Sequence, residues 1–544
     1  MKTRLLVSFL ILVLLAVSSV AIAQEPVPKI EVLSNAQAQD PIEFEYTRLL
    51  VENMRQLGLD VEHRGIPWEQ QLQIVWFERD NWQMTAWRMV GRPERMDPDE
   101  FVFNLFHSST AEAGYNFVGY INEEYDVLAE TQRAETDKET RRDLIYQAQE
   151  LIANDVPYVY AVHRSEPQLV RTDVFDVSTV VDQQGIGIKN FWTWVEMTPL
   201  GDQKAIITQT GDNLKSINPL YIAGDAPSRV TELIWDRLMR IGPDGLAEPW
   251  AAESVVWEDP TNLLITIREG MLWHDGNPVT VEDVKYSFEA PQTGEAPMYA
   301  PFVGRIANIE IVDDLTLRFT LSEPWVAFET ASLAKLNIIP KHIWEPLLEE
   351  LMQDETRNAE NHQEETPIGS GPYRMVGFDV AEQAVLEANP DHWAVPKAEK
   401  WIMLVIPNME TVLGQIQTGE INFVSEFEGD AQILADVAEA DPSIEMFASP
   451  ELGFRFYAFN LRVPPFDDLA LRQAVAHAVP KESILKNIFK GFGVPADSYV
   501  SVAIDYWHNP DLPQYEFDIE KAREVLADAG YTWDADGNLL MPTD

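Results

Sequence analysis

Residues 30–64 constrain the fold most. Ile30 to Ser34 is patterned as a strand. Ile42 to Leu57 has helical spacing, with Phe44, Leu49, Leu50, Met54 and Leu57 crowding one side, and Leu59 to Arg64 alternates as a second strand. Gly58 stands where a helix C-terminus favours a residue free to turn left-handed. The same mixture continues along the chain. Trp68 to Phe77 reads as a helix, Trp82 to Met89 as a strand, Glu124 to Ala134 and Lys138 to Asn154 as successive helices, and Tyr158 to His163 as a strand. A second unit opens after the polar link Pro199 to Lys204, with strand-like runs at Ala205–Thr210, Leu263–Arg268 and Leu315–Leu321. Asp313-Asp314 marks a hairpin, and Thr280 to Asp283 forms a capping-box start for the helix Val281–Phe288. Met352 to Thr366 reads as a polar loop. Leu469 to Phe489 reads as one long helical pattern, and Asp518 to Gly530 as an amphipathic helix. Helices interleaved with strands in mixed order place the chain in the α/β class.

At 544 residues the chain has room for two to four structural units. A hydrophobic content of 46% separates it from acidic disordered chains despite a net charge of −49. That charge argues against nucleic acid and anionic membranes as partners, because phosphate contacts need Lys and Arg. There are no cysteines, so disulfides, thiolate metal sites and cysteine nucleophiles are excluded. Neither a metal nor a cofactor is expected. Lys2 and Arg4 precede an apolar run from Leu5 to Val17, and Ala21-Ile22-Ala23 fits a cleavage site. Residues 1–23 are therefore expected to be a signal peptide, and the mature protein to start at Gln24 in the periplasm or outside the cell.

Three stretches carry a resemblance: LLITIREGMLWHDGNPVTVEDVKYSF (Leu263–Phe288), PIGSGPYRMVGF (Pro367–Phe378) and YAFNLRVPPFDDLALRQAVAHAV (Tyr457–Val479). Together they resemble the family 5 solute-binding proteins of ABC importers, which include dipeptide, oligopeptide and nickel binders. The order of the segments differs from that family. Asp60 to Leu72, Gly119 to His163 and Asn190 to Met197 resemble its C-terminal portion, the last of these its final strand, yet they precede the rest. The resemblance implies a two-lobed periplasmic binding protein with a circularly permuted chain. One lobe would take residues 201–455 with a return at 165–200, and the other residues 28–164 with 456–544. Fusion of two partial gene copies is the alternative origin. Hinges are expected near Arg164 and near Phe454 to Tyr457.

The resemblance also nominates a cleft. Trp82 to Glu94 would face it, with Arg88 and Arg92 suited to a carboxylate, phosphate or sugar hydroxyls and no acid until Glu94. Trp68 and Trp87 are candidates to stack on a ligand. Asn218, Tyr299, Glu426, Phe427, Arg455 and Tyr457 match other cleft-lining stretches, and Arg455 and Tyr457 share one face of a strand. His274-Asp275 has the look of a catalytic or metal pair, but the resemblance places it in a surface turn after a strand, so no catalytic role is expected. The function implied is capture of a small peptide, oligosaccharide or related solute by a monomer that delivers it to membrane permease subunits, with no chemistry performed. The competing readings are a secreted hydrolase such as a glycosidase, for which no carboxylate pair stands out, and a binding protein linked to a chemoreceptor.

Overall fold

A computed structural model describes residues 24–543 apart from 213, 222–223, 294–295, 297–298, 354–361, 364–365 and 428. The signal segment 1–23 lies outside the described residues, as does most of the loop expected at 352–366.

The helix Pro41–Gln56 joins the strands Ile30–Asn35 and Val61–Ile66, which run parallel in full register from Ile30↔Val61 to Asn35↔Ile66. A parallel pair needs such a crossover. The Asp40 side chain caps the helix at Glu43 N, and Gly58 ends it with φ +89°. Met84–Met89 adds a further parallel strand beside Ile30–Asn35. Phe454–Phe459 pairs antiparallel with Met84–Met89, and Phe423–Val424, Ile444–Pro450 and Gly493–Pro495 complete an eight-stranded sheet.

The strand Tyr158–Arg171 ties this sheet together. It is 14 residues long, far beyond the expected Tyr158–His163. Residues 158–162 pair with Phe454–Phe459, whereas residues 165–171 pair with Ile444–Pro450. The change of partner falls at Arg164–Ser165.

Two smaller sheets stand apart. One has the antiparallel order Ala252–Asp259, Asn262–Ile267, Thr316–Leu321, Ile306–Ile311, and includes the hairpin expected across Asp313-Asp314. The other sets Tyr373–Asp379, Gln383–Ala388 and Lys400–Val405 beside Ala205–Thr210. The capping box at Thr280 and Asp283 forms in both directions.

The cores divide along the chain. The largest draws on residues 170–423, with Trp194, Trp235, Trp273, Trp344 and Trp401 fully buried. Two others, rich in residues of the large sheet, draw on both ends of the chain, from Val27 to Val162 and from Leu452 to Leu539. The end segments also touch directly. Val27 N donates to Leu539 O at 2.9 Å and Met541 N donates to Glu25 O at 2.8 Å.

Three expectations need correction. Asn190–Met197 is no strand: Phe191–Glu196 is a helix whose Asn190 side chain caps Thr193 N at 2.9 Å. Phe191, Trp194 and Val195 are buried at i, i+3 and i+4, a helical spacing that its aromatic, β-branched composition disguises. The run Leu469–Phe489 is two helices, Leu469–His477 and Lys481–Asn487, because Pro480 disfavours helical backbone at Val479 and cannot donate to the first helix. Trp68–Phe77 begins as a helix, Trp68–Leu72, and widens to π-helical turns at Gln73–Glu78.

Candidate functional site

The loop after Met84–Met89 and the loop before Phe454–Phe459 cross so closely that neither tolerates a side chain. A Cβ on Gly91 would lie 2.8 Å from Gly453 N, and one on Gly453 would lie 2.7 Å from Met89 O. Beside this crossing opens a cleft of about 230 Å³, somewhat below the roughly 300–1,000 Å³ usual for ligand sites. Gly91, Pro93 and Met96 form one side. The opposite side comes from the stretch Gln183–Phe191, the helix Asp225–Ile234 with the strand that follows it, and the turn around Thr330–Lys335.

The cleft is charged. Asp225 and Arg229 sit one turn apart on the helix Asp225–Ile234. Lys189 Nζ lies 3.1 Å from Asp225 and 3.9 Å from Glu426. Arg229 donates to Ser425 Oγ at 2.9 Å and forms an ion pair with Glu426. Desolvation pushes the Asp225 carboxyl up, but Lys189 and Arg229 outweigh it and hold it below the usual carboxylate range. Glu426 goes the other way: desolvation, helped by the Asp225 charge, raises it despite the same two cations. Deeper in, Arg240 is 3% exposed, and its guanidinium carbon lies 3.5 Å from the centroid of the Phe191 ring. Burial and the neighbouring Arg237 charge lower it to about 9.

The residues nominated from sequence scatter around this cleft. Glu426 joins its charge cluster, and Arg92 is exposed between the lining residues Gly91 and Pro93. Arg88 is exposed on the strand and lies 3.6 Å from Asp40. Trp68 packs against Trp87 at 4.8 Å, and Trp87 is buried beside Trp76 and Phe117. Asn218 braces its own turn by accepting from Leu220 N and reaches a distant loop by donating to His362 O. Tyr299 is buried in the mid-chain core. Phe427 lines a separate groove of about 240 Å³ with Ile42 and Phe489. Arg455 and Tyr457 do share a face, but that face meets the helix Pro41–Gln56. Arg455 pairs with Asp40 at 2.7 Å, and the Tyr457 hydroxyl donates to Tyr46 O. Trp87, Asn218, Tyr299, Arg455 and Tyr457 are therefore occupied by packing or by partners within the protein. Sequence reasoning passed over Lys189, Asp225, Arg229, Arg237 and Arg240. The run Glu232–Arg240 carried a signal, since two acids and two arginines, Glu232, Asp236, Arg237 and Arg240, interrupt an otherwise apolar Leu-Ile-Trp-Leu-Met stretch.

His274 accepts from Gly369 N through Nδ1 and donates from Nε2 to Gly371 O, and burial lowers it to about 4. Both ring nitrogens are occupied by backbone, which suits a turn brace and leaves no atom for general-base work.

Residues 247–543, more than half of the chain, match the family model "bacterial extracellular solute-binding proteins, family 5 Middle". The chain belongs to that family. Family 5 solute-binding proteins are transport binding proteins rather than enzymes. Among curated proteins, a putative ABC transporter peptide-binding protein of Brucella ovis is 28% identical over 270 residues, 48% of this chain and 47% of its own. The dipeptide-binding protein of Escherichia coli K12 is 25% identical over 355 residues, covering 60% of this chain and 63% of its own. The chain thus spans between about half and under two thirds of these relatives' length. A periplasmic oligopeptide-binding protein of Thermotoga maritima superposes with a TM-score of 0.47 and 22% identity, over 62% of this chain and 64% of that one. Among the described residues no helix is long and apolar enough to cross a membrane.

Proposed function

We propose that this family 5 protein is the solute-capturing component of an ABC-type importer and holds a short peptide in the cleft between Gly91–Met96 and Gln183–Ile241. One observation carries the reading: the cleft is walled on one side by a loop of the large sheet and on the other by elements of the mid-chain core, with ionic groups converging on it. The named functions of the relatives, peptide and dipeptide binding, favour a peptide. So does the wall, since charged pairs suit a zwitterion better than a neutral sugar. In this reading residues 165–455 form one lobe and residues 28–164 with 456–544 the other, and they hinge at Arg164–Ser165 and at Glu451–Phe454. Closure buries the peptide, and the ligand must favour the closed state or it shifts nothing. The closed monomer then presents itself to permease subunits outside the cytoplasm.

The segment order is read as a circular permutation. The pairing of Glu25–Val27 with Leu539–Met541 and the cores shared by the two end segments support it. A chain restored to the family order would be opened at the exposed Gly201 and joined from 544 to 24 by a short linker. It should fold to the same structure with the same cleft. Failure to fold would refute the permutation.

Calorimetric titration of the mature protein with di- and tripeptides, oligosaccharides and nickel chelates tests the function. Peptide binding at one site per chain is expected. Binding of another class alone would replace the peptide reading, and a cooperatively folded protein that binds none would end the capture reading.

A further inference from the structure

Two arginines on the floor of the cleft lack a direct ion pair, although the Glu232 and Asp236 carboxylates act on Arg240 from a distance. Lys189 and Arg229 are paired with Asp225 and Glu426. Arg237 and Arg240 are treated differently. Arg237 donates from Nε to Asn337 Oδ1 at 3.2 Å and from Nη1 to Ala334 O at 3.1 Å. Arg240 donates from Nη2 to the backbone oxygens of Glu232, at 2.7 Å, and Trp235, at 3.4 Å. All four acceptors are neutral. Among the described residues neither arginine has a carboxylate within 4.0 Å, and the buried Arg240 Nε has no acceptor. The Glu232 carboxylate lines the same floor but bonds neither arginine, and burial raises its pKa.

Several other buried arginines are paired directly with a carboxylate: Arg133 with Asp99, Arg141 with Asp97, Arg455 with Asp40. Arg79, Arg462 and Arg472 also donate to carbonyls, but they do not line the cleft. A buried cation without an anion is costly, and acids are abundant in this chain, 89 against 40 bases. Both arginines line the cleft, where an anion can arrive from outside and complete the pairing.

We propose that Arg237 and Arg240 receive a carboxylate of the captured solute, so that the cleft selects anionic over neutral peptides. This rests on the cleft being the capture site. Guanidinium groups suit the task because their planar donors match a carboxylate, and the Phe191 ring packs against one of them. The carboxylate can come from an acidic side chain or from the peptide's C-terminus.

Four tripeptides separate the cases: Ala-Glu-Ala, Ala-Gln-Ala and the C-terminally amidated form of each, titrated into the mature protein. Loss of a carboxylate that sits on the arginines should weaken binding about 10- to 100-fold, as for hydrogen bonds between charged groups. A drop from Glu to Gln assigns the side chain, and a drop on amidation assigns the terminus. Arg237→Gln and Arg240→Gln should abolish that drop by weakening the charged peptide to the level of its neutral counterpart. Arg240→Lys should restore part of it. Equal binding of all four peptides would overturn the proposal and leave peptide capture standing. A wild-type ratio of charged to neutral binding in both Gln variants would also overturn it. Binding of none of the four would end both readings. The half-buried Arg237 and the ligand-side comparison decide the matter even if Arg240→Gln fails to fold.

Discussion

The core built from residues 170–423 and the two cores built from the ends of the chain reach very different distances in sequence. In the end-built region, Arg455 bonds Asp40 across 415 positions, Asn53 bonds Ala478 across 425, and Trp533 bonds Leu57 across 476. Closing such loops costs little more than closing shorter ones, about 0.6 kcal/mol for each doubling. The kinetic consequence is larger, because non-local contacts form late. The comparison therefore teaches that the two regions can have similar packing and still differ in which opens first. We expect the end-built region to show the faster hydrogen exchange, and equal protection in the two would break that expectation.

The largest effect should come from truncating the chain after Gly530. Tyr531 and Leu539 leave the core, and the pairing with Glu25 and Val27 is lost. Exchange in residues 25–162 and 456–530 should become fast while the mid-chain sheets stay protected. Uniform loss would make the molecule a single cooperative unit. Next come matched cavities. Phe459→Ala in the end-built core and Trp401→Ala in the mid-chain core should each cost about 3–5 kcal/mol in urea unfolding. Each should loosen its own region first, and loosening of both by either variant would blur the comparison.

A smaller effect concerns acid. Burial holds His63, His163 and His274 each at about 4, against about 6.5 in the unfolded chain. Between those values the unfolded state binds more protons, so stability rises with pH. This contribution is full above pH 6.5 and is lost as pH falls toward 4. Two of the three histidines, His63 and His163, lie in the end-built region, which should therefore weaken first. The urea midpoint should fall between pH 7 and 4.5, and His163→Gln should flatten that slope. A midpoint independent of pH would contradict it. The smallest effect belongs to Arg88→Ala. Its side chain is 52% exposed and lies 3.6 Å from Asp40, so the change should be under about 1 kcal/mol.

Much of this architecture was legible. The strand–helix–strand start, the capping box at Thr280 and the hairpin at Asp313-Asp314 are local patterns, and local patterns determined them. The helix Phe191–Glu196 was misread because bulky aromatic residues suit a strand equally well until their burial spacing is known. The break at Pro480 is visible in the sequence, but Ile484, Leu485 and Ile488 continue a helical spacing beyond it. The site was less legible for a different reason. Arg455 and Tyr457 share a face as alternation requires, yet alternation does not say that a helix covers that face. Lys189, Asp225, Arg229, Arg237 and Arg240 converge from a loop, a helix and a strand, and only the tertiary arrangement brings them to one cleft.

The capture account is tested most directly by hydrogen exchange with and without a saturating peptide from the calorimetric panel. The account predicts slower exchange on both walls at once, around Gly91–Met96 and around Lys189–Ile241. Protection of one wall alone, or of a surface remote from the cleft, would contradict it.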